Sequence, residues 1–281
     1  MSSRMVEVAS EHAAPEHAYV FDNSAVQATA RFSALAAIFD PGTVYHLAVI
    51  GVAKGWKCLE VGGGGGSIAS WLCDRVGPEG QVLATDLDPR FLERLSHANL
   101  EIRRHDIAKD SLPDAAFDLV HARLVLAHLP DGDKVLRRMV EALRPGGWLV
   151  VEEFDALSLQ PDPTVSSTER PLKAFSAMRA VMANHGVDLL CGRRLAAHVR
   201  ALGLPDVVAE GRAFMFQGRS AGIDLFRASA QQLRDEMFAS GLISEAEFAR
   251  DIELLDSLDL LIPSPIMWAV KARRPAAGWT G

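Results

Sequence analysis

The chain has 281 residues, of which 49% are apolar and 23% are charged, and this composition supports a sizeable buried core in one domain, with or without an insertion. The formal net charge of −7 argues against nucleic acid as the main partner, because phosphate binding requires a basic face. Cys58, Cys73 and Cys191 are too scattered for a disulfide framework or a metal-binding pattern, which favours reduced thiols and a cytoplasmic location.

The N-terminal part of the chain predicts a mobile tail followed by helices. Residues 1–18 lack both periodicity and a signal-sequence pattern, so we expect them to be mobile. A first helix, capped by Asp22 or Asn23, is expected to end at Phe39, because Asp-Pro-Gly follows, and a second helix should cover 43–52. Residues 19–52 would thus form a helical cover. We see no apolar run that predicts a membrane span.

The central feature of the sequence is the run of five glycines at the end of Cys58–Gly66. It follows a short apolar run and precedes a helical pattern at 67–76, which is the layout of a strand, a tight turn and a helix N-terminus. Without Cβ atoms the turn can adopt positive φ and approach a ligand closely, and the helix presents free N–H groups there. The run therefore predicts a nucleotide-like or charged small molecule at the end of the first strand.

The spacing of the glycines does not complete the dinucleotide pattern G-x-G-x-x-G. In the two possible registers the third glycine position falls on Ser67 or on Ile68. This argues against a nicotinamide cofactor.

Two further strands place carboxylates at the same edge of the predicted sheet. A strand at 81–86 ends in Asp86, a position at which a carboxylate in a doubly wound sheet accepts hydrogen bonds from a ribose diol. Asp88 is the better cap for the following helix at 89–97, which leaves Asp86 free. A third strand at 100–105 leads into Asp106.

Two more strands complete the pattern of alternating elements. A strand at 117–121 is followed by a helix at 131–143, and an Arg-Pro-Gly-Gly turn precedes a strand at 147–153. Alternating strands and helices with short links predict a parallel sheet with right-handed crossovers.

These features together resemble the class I S-adenosylmethionine-dependent methyltransferases. The acidic residue and glycines of motif I are matched by Glu60, Gly62, Gly64 and Gly66, and the resemblance covers about residues 50–155. One departure is Gly63, where relatives more often carry a side chain, and this should loosen the turn. The resemblance implies an α/β fold with a doubly wound, Rossmann-like, seven-stranded sheet in the order 3-2-1-4-5-7-6, the last strand antiparallel.

The resemblance also implies S-adenosyl-L-methionine as cofactor and assigns contacts to it. The glycine turn cradles the methionine part, a carboxylate holds the ribose, and a second carboxylate with an apolar neighbour holds the adenine. The backbone after the fourth strand often holds the amino group, and an N-terminal aromatic residue covers the ligand. The implied cofactor-binding residues are Tyr19, Glu60, Gly62, Gly63, Gly64, Gly66, Asp86, Leu87, Asp106, Ile107, His121, Ala122 and Arg123.

No fixed catalytic motif is expected for methyl transfer. The reaction is an in-line displacement that requires orientation and exclusion of water, and a base is needed only if the acceptor loses a proton. His121 and Glu153 are the candidate catalytic residues, because they lie near the carboxyl ends of the fourth and fifth strands. His128 is more readily interpreted as a packed loop histidine, and His185 could enter from the lid.

Residues 53–155 are thus expected to be the cofactor-binding core, and residues 156–281 to be lid helices with the last two strands. A turn-rich loop should follow the fifth strand, and Ser244 with Glu247 forms a capping box. Helices are predicted at 171–184, 192–202, 222–239 and 244–259, and strands at 206–217 and 265–273. Lid residues that lean toward an aromatic or polyketide-like acceptor are Phe175, Met178, Met182, Phe214, Phe216 and Phe226, although such residues also serve as core.

The resemblance therefore predicts a methyltransferase, monomeric or homodimeric, for a small-molecule acceptor with an O-, N- or C-nucleophile. It is similar to the quinone-biosynthesis and natural-product enzymes, with no membrane insertion. Two alternatives stay open: an enzyme of the same fold that binds the cofactor but catalyses another reaction such as a cyclisation, and a nicotinamide oxidoreductase. A non-enzymatic binding protein is less favoured because the motifs are intact.

Overall fold

The computed structural model describes residues 19–24, 26–159 and 173–276. The predicted mobile tail at 1–18, most of the loop after the fifth strand and the first two residues of the helix predicted from 171 lie outside these ranges. The helices are α1 Ala28–Val49, α2 Ser67–Val76, α3 Gly132–Ala142, α4 Lys173–Asn184, α5 Cys191–Ala201, α6 Ala221–Gln232, α7 Arg234–Ala239 and α8 Glu245–Leu254.

The described strands form a seven-stranded sheet and a two-stranded one. The large sheet contains β1 Lys57–Val61, β2 Gln81–Asp86, β3 Leu100–Arg104, β4 Phe117–Arg123, β5 Leu143–Asp155, β6 Val208–Arg212 and β9 Ile266–Arg273. The small sheet pairs β7 Met215–Gln217 with β8 Leu261–Pro263. The large sheet has the order β3-β2-β1-β4-β5-β9-β6, and β9 runs antiparallel to both of its neighbours. The predicted order and the antiparallel last strand are confirmed.

The central strands are buried along most of their length because both faces of the sheet are covered. All residues of β4 up to Ala122 are buried, and Leu72 and Val76 of α2 pack on one face of the sheet. On the other face Leu136 and Met139 of α3 are buried, as their spacing predicts. Since β1 to β5 are all parallel, their carboxyl ends meet at one edge of the sheet.

The N-terminal segment differs from the prediction of two helices. It forms one helix, α1, which begins at Ala28 and contains Pro41. Proline removes a helical hydrogen bond and disfavours helix continuation. Tertiary contacts on both sides of it overcome this preference, because Asp40 pairs with Arg123 and the Thr43 hydroxyl donates to Glu152.

By length and composition alone, and contrary to the expectation from sequence, α1 is long and apolar enough to cross a membrane. In the structure it contacts α6, and Arg31, Thr43 and His46 on it are buried. Buried polar residues of this kind favour a helix that packs within the protein.

Other element boundaries also differ from those expected. The helix predicted at 89–97 is only the 3₁₀ turn Leu92–Arg94, because Leu92 and Leu95 both pack against the glycine turn. The predicted strand 206–217 splits into β6 and β7, and the helix predicted at 222–239 divides at Leu233 into α6 and α7. Helix α8 ends at Leu254 rather than at 259, and β5 begins at Leu143 rather than at 147. The capping box of Ser244 and Glu247 is confirmed.

Candidate cofactor and acceptor site

The glycine turn joins β1 to α2 in a conformation that requires glycine. Gly62, Gly64 and Gly66 have φ values of 65°, 50° and 84°. A Cβ at Gly62 would lie 2.4 Å from Cγ2 of Val125. The turn is closed by a 2.8 Å hydrogen bond from the Gly66 amide to the Gly63 carbonyl, and no side chain caps the N-terminus of α2. The free amides at this helix start suit a polar or anionic ligand group.

The space beside Gly63 is already filled. A Cβ added there would lie 2.9 Å from Cδ2 of Leu92. Leu92 is completely buried. The departure from the family pattern at Gly63 is therefore matched by a leucine that supports the turn from the neighbouring segment.

Asp86 ends β2 beside this turn and partly orders it. One carboxylate oxygen accepts the Gly64 amide and the other accepts the Asp88 amide, each at 2.9 Å. Burial raises the pKa of Asp86, and these hydrogen bonds counteract the rise. Because each carboxylate oxygen can accept a second hydrogen bond, Asp86 retains acceptor capacity for a hydroxyl. Leu87 beside it is 46% exposed.

After the glycine turn and Asp86, the third predicted cofactor-binding segment at this edge of the sheet is the loop after β3. The Asp106 carboxylate accepts the Ala108 amide at 3.0 Å and pairs with Lys109 at 3.3 Å. Ile107 is buried in the core beneath the loop. Both Asp106 and Ile107 border the cavity described next.

A cavity of about 1380 Å³ lies over the carboxyl ends of the strands. It extends from the loop after β3 to the lid, where α4 and α6 contribute side chains. The predicted site residues that line it are Tyr19, Glu60, Gly62, Gly63, Gly64, Asp86, Leu87, Asp106, Ile107, Arg123 and Glu153. Those that do not border it are Gly66, His121 and Ala122.

His121 is held behind the cavity between two carboxylates. It is completely buried, with Nδ1 2.6 Å from Oε2 of Glu60 and Nε2 3.3 Å from Oε2 of Glu152. Burial alone would lower the pKa of His121, but the two carboxylates outweigh this effect and raise the pKa to about 9. At neutral pH His121 is thus an imidazolium, which has no free nitrogen to accept a proton.

The same network reaches α1. The hydroxyl of Thr43 donates to Glu152 at 2.5 Å and accepts from Arg123 at 2.8 Å, and Arg123 also pairs with Asp40 at 2.8 Å. The guanidinium of Arg123 therefore has protein partners on α1. The network connects the first strand, the fourth and fifth strands and the N-terminal helix through buried polar groups.

Glu153 lines the cavity and is completely buried. Its Oε1 accepts the amides of Val125 and Leu126 at 2.9 and 2.6 Å, whereas Oε2 has no partner among the described residues. Burial raises the pKa of Glu153 to about 8, against the effect of these amides. Near neutral pH the carboxyl is therefore largely protonated and can donate a hydrogen bond.

His128, which the sequence favours as a packed loop histidine, lines the cavity. Its ring meets Tyr19 edge-on at a centroid distance of 4.8 Å and Phe21 at 6.4 Å. Desolvation and then the charge of Arg31 lower the pKa of His128 to about 4, so the ring is neutral. Its place after β4, at the ligand-binding edge of the sheet, was the available sequence signal.

Two further sequence candidates lie elsewhere. His185 pairs with Glu236 at 2.5 Å on the surface and does not border the cavity. Phe214 packs on Phe39 and Phe216 and is likewise absent from the cavity wall. The other predicted lid residues do line it: Phe175, Met178, Met182, Phe216 and Phe226.

Comparison with known proteins agrees with this architecture. Residues 59–151 match a family described as a methyltransferase domain. The chain is 33% identical to methyltransferase str3 of Strobilurus tenacellus over 156 residues, 54% of this chain and 53% of that protein. It is 31% identical to the ubiquinone/menaquinone biosynthesis C-methyltransferase UbiE of Pseudomonas putida (strain GB-1) over 140 residues, 47% of this chain and 52% of that protein. The chain thus spans about half the length of these curated relatives.

Similar solved structures support the fold. Phosphoethanolamine N-methyltransferase 2 of Haemonchus contortus, in complex with phosphomonomethylethanolamine and S-adenosylhomocysteine, aligns with a TM-score of 0.58 and 17% identity, over 93% of this chain and 61% of that one. A putative methyltransferase of Bacillus halodurans aligns with a TM-score of 0.53 and 16% identity, over 83% of this chain and 99% of that one.

The sheet order, the glycine turn and the domain match at residues 59–151 together support a methyltransferase domain of the class I, S-adenosylmethionine-dependent type. The matched segment at 59–151 is the methyltransferase domain of this chain, and S-adenosyl-L-methionine is the cofactor of this class. The described residues fit this cofactor, because the turn at Gly62 has no room for a Cβ and Asp86 beside it keeps acceptor capacity.

Proposed function

We propose that this protein transfers the methyl group of S-adenosyl-L-methionine to a small-molecule acceptor that binds in the lid half of the same cavity. The observation that carries the proposal is the size and composition of this cavity. Its volume of about 1380 Å³ exceeds the roughly 300–1,000 Å³ of a typical site for one ligand. One end is formed by the sheet edge with its glycine turn, and the other by lid side chains, so cofactor and acceptor can lie side by side.

The chain's contribution is to bind, orient and enclose. The bound cofactor supplies an electrophilic methyl group on its sulfonium. We propose that the glycine turn and Glu60 hold its amino-acid end, Asp86 its ribose, and Asp106 with Ile107 its adenine. Residues 19–52 then act as cover, 53–155 as cofactor-binding core and 156–281 as acceptor lid. Closure over the site fixes the approach of the nucleophile and keeps water out.

The acceptor end of the cavity suits an apolar, aromatic or polyketide-like molecule. Phe175 and Phe226 stack at a centroid distance of 3.5 Å, and Met178 and Met182 line the same wall. Aromatic and methionine side chains offer large contact area to planar ligands. The name of UbiE, a quinone-biosynthesis C-methyltransferase, also favours a small cyclic acceptor.

Proton handling, where the acceptor requires it, falls to Glu153 and His128. His128 is neutral because its pKa is lowered to about 4, so a ring nitrogen can accept a hydrogen bond from an acceptor hydroxyl and orient it. Glu153 is protonated below its pKa of about 8 and can donate to an acceptor carbonyl. We propose His121 as a positioning residue, because it is locked as an imidazolium between Glu60 and Glu152.

The first test is calorimetric titration with S-adenosyl-L-methionine, S-adenosylhomocysteine and NAD. We expect micromolar binding of the first two and none of NAD. Binding of NAD alone would refute the proposed cofactor.

The second test is an acceptor screen that follows formation of S-adenosylhomocysteine with quinone precursors, phenols and aromatic polyketides. An acceptor that is consumed while S-adenosyl-L-methionine stays intact would favour the alternative of a cyclisation or another non-methylating reaction. We further propose a cytoplasmic protein that acts as a monomer or homodimer, which sedimentation of the purified chain will test.

A further inference from the structure

Arg31 is a buried cation without a counter-ion among the residues that the structure describes. It lies near the start of α1, it is 4% exposed, and it lines the cavity. Its guanidinium makes only long contacts with neutral groups, at 3.4 Å to the Tyr19 hydroxyl and 3.3 Å to the Asn23 side-chain oxygen. Its Nε has no hydrogen-bond partner in the described part of the chain. No carboxylate of residues 19–24, 26–159 or 173–276 forms an ion pair with it.

The groups around Arg31 do not neutralise its charge, and the nearby N-terminus of α1 adds positive potential. The guanidinium carbon lies 4.6 Å from the ring centroid of Phe32 and 4.8 Å from that of Phe21, and such ring contacts offset only part of the loss of solvation. The N-terminus of α1 has no capping side chain and no acidic residue in its first turn, so the positive end of the helix dipole is also unmatched. The free protein therefore presents a desolvated positive site at the cavity.

Arg94, another cation of the cavity wall, is exposed to solvent and lies over the Phe91 ring. The remaining cations of the wall have hydrogen-bonding partners. Arg123 pairs with Asp40, and Lys109 pairs with Asp106. Arg179, on the lid helix α4, donates to the backbone carbonyls of Ala156 and Leu159 at 3.4 and 3.2 Å. Arg31 is thus the buried cavity cation, among the described residues, that lacks a strong acceptor.

The sheet order decides which part of a bound ligand meets Arg31. With the adenine at β3 and the ribose at β2, the amino-acid end of the cofactor extends over β1 toward β4. Arg31 lies at this place. Its neighbour Phe32 packs on Gly64 and Gly65 at the end of β1. The rings of Tyr19 and Phe21 on which it lies pack in turn on His128 after β4.

We propose that Arg31 binds the α-carboxylate of the cofactor's amino-acid end. The proposal rests on the cofactor of the proposed function. The carboxylate is the one anionic group of S-adenosyl-L-methionine, and a guanidinium binds carboxylates with two parallel hydrogen bonds. The acidic residues of the cofactor end, Glu60, Asp86 and Asp106, would repel that group and suit the ammonium, the hydroxyls and the adenine amino group instead.

The test compares S-adenosyl-L-methionine with decarboxylated S-adenosylmethionine, which lacks only this carboxylate. Calorimetry on the full chain should show that the wild type binds the first ligand about 10- to 100-fold more tightly, the range for a charge-assisted hydrogen bond. In Arg31→Gln this ratio should fall to within about threefold of unity, and Arg31→Lys should retain an intermediate ratio.

Arg179→Gln is the matched control, because it makes the same change at the cavity cation of the lid and should keep the wild-type ratio. An unchanged ratio in Arg31→Gln would overturn the proposal, and a raised KM for the acceptor in that variant would place the bound anion on the acceptor instead. Failure of the wild type to bind S-adenosyl-L-methionine at all would refute the cofactor, which is a different result.

A stability measurement separates a ligand-binding role from a structural one. Arg31→Gln removes a buried unpaired charge, so the thermal midpoint of the ligand-free protein should stay the same or rise. The increase in midpoint on adding S-adenosyl-L-methionine should shrink. A ligand-free midpoint that falls, together with an unchanged affinity ratio, would assign Arg31 to the fold and overturn the proposal.

Discussion

Two histidines near the carboxyl end of β4 have pKa values displaced in opposite directions. His121 lies between two carboxylates, which outweigh burial and raise its pKa, whereas desolvation and a nearby guanidinium lower the pKa of His128. Glu153 has amide donors at only one oxygen, and burial raises its pKa to about 8. Displaced pKa values of this kind gather at functional sites. Here they distinguish His121, which we propose as a positioning residue, from His128, which lines the cavity.

Glu153→Gln should change how stability depends on pH. The carboxyl of the wild type binds its proton more tightly when folded, with a pKa of about 8 against 4.5 in the unfolded chain. Its stabilising contribution is therefore present below pH 4.5 and is lost as the pH rises to 8. Relative to the variant, the wild type should lose up to about 1.4 kcal/mol per pH unit across this window. Urea denaturation at pH 5, 6.5 and 8 measures the difference.

The control for this experiment is Glu245→Gln, at an exposed position on α8. Its difference from the wild type should be the same at all three pH values. A parallel pH profile for Glu153→Gln would contradict the buried, protonated state of this carboxyl.

Some site residues could be predicted from sequence, because a position at the end of a strand is enough to place them at the ligand-binding edge of the sheet. Asp86 and Asp106 follow strand ends, and both line the cavity. The location of His121 depended on strand register, because Glu60 stands opposite it on β1 and Glu152 reaches it from β5. Arg31 gave no signal, since an arginine in a predicted surface helix is usually solvated.

At the scale of elements, the turn after β1 combines a backbone conformation that favours glycine with close packing of its neighbours. Gly62→Ala places a Cβ at positive φ and 2.4 Å from Val125. We expect it to lower the free energy of unfolding by about 2–4 kcal/mol, through strain and overpacking, and to weaken S-adenosylhomocysteine binding at least tenfold. Urea denaturation and calorimetry measure the two effects.

Gly55→Ala is its matched control. Gly55 has a φ of 81°, but a Cβ there would have no heavy atom within 4 Å. This variant should show only the strain, about 1 kcal/mol, with unchanged affinity for S-adenosylhomocysteine. Equal effects of the two substitutions would mean that close contact at the turn is unimportant.

Pro41, inside the continuous helix α1, should lower the stability of that helix. Pro41→Ala restores a backbone donor and removes a clash, so we expect the free energy of unfolding to rise by about 1–3 kcal/mol. The loop variant Pro113→Ala, at an exposed position, should instead lower it slightly through the greater freedom of the unfolded chain. A loss of stability in Pro41→Ala would show that the contacts of Asp40 and Thr43 require the proline.

The two-helix prediction for this region was wrong because it relied on local preferences. Asp-Pro-Gly is a typical end of a helix, and nothing nearby in sequence indicates that Arg123 and Glu152 hold the following turn. The same reason explains the missing helix after β2, where Leu92 and Leu95 pack under the glycine turn.

At the scale of the whole molecule, we propose that the cavity has a cofactor end and a lid end. We expect S-adenosylhomocysteine alone to slow hydrogen exchange at 60–67 and near Arg31, because these segments line the proposed cofactor end. Exchange in α4 and α6 should change less, since their cavity side chains face the acceptor end. Mass spectrometry of peptides from the free and bound protein provides the comparison. Equal slowing in all four segments would contradict the division.

The overall architecture was predictable to different degrees in its two halves. The order of the first five strands and the antiparallel last strand followed from a motif resemblance that covers about residues 50–155. The lid was predicted as helices and strands with wrong boundaries, because its elements are short and their ends are set by tertiary packing. The pairing of Met215–Gln217 with Leu261–Pro263 joins segments too distant in sequence for a local pattern to reveal.

The place of β9 in the sheet has a consequence for how the protein is made. Ile266–Arg273 is the last strand along the described part of the chain, yet it lies between β5 and β6. About a hundred residues separate the end of β5 from the start of β9. Until the ribosome has added them and β9 itself, the edge of β5 that pairs with β9 stays unpaired in the nascent chain. An unpaired edge is a template for pairing with another chain. Slow translation of the lid should thus favour aggregation, and completion of the final strand is the step that ends this exposure.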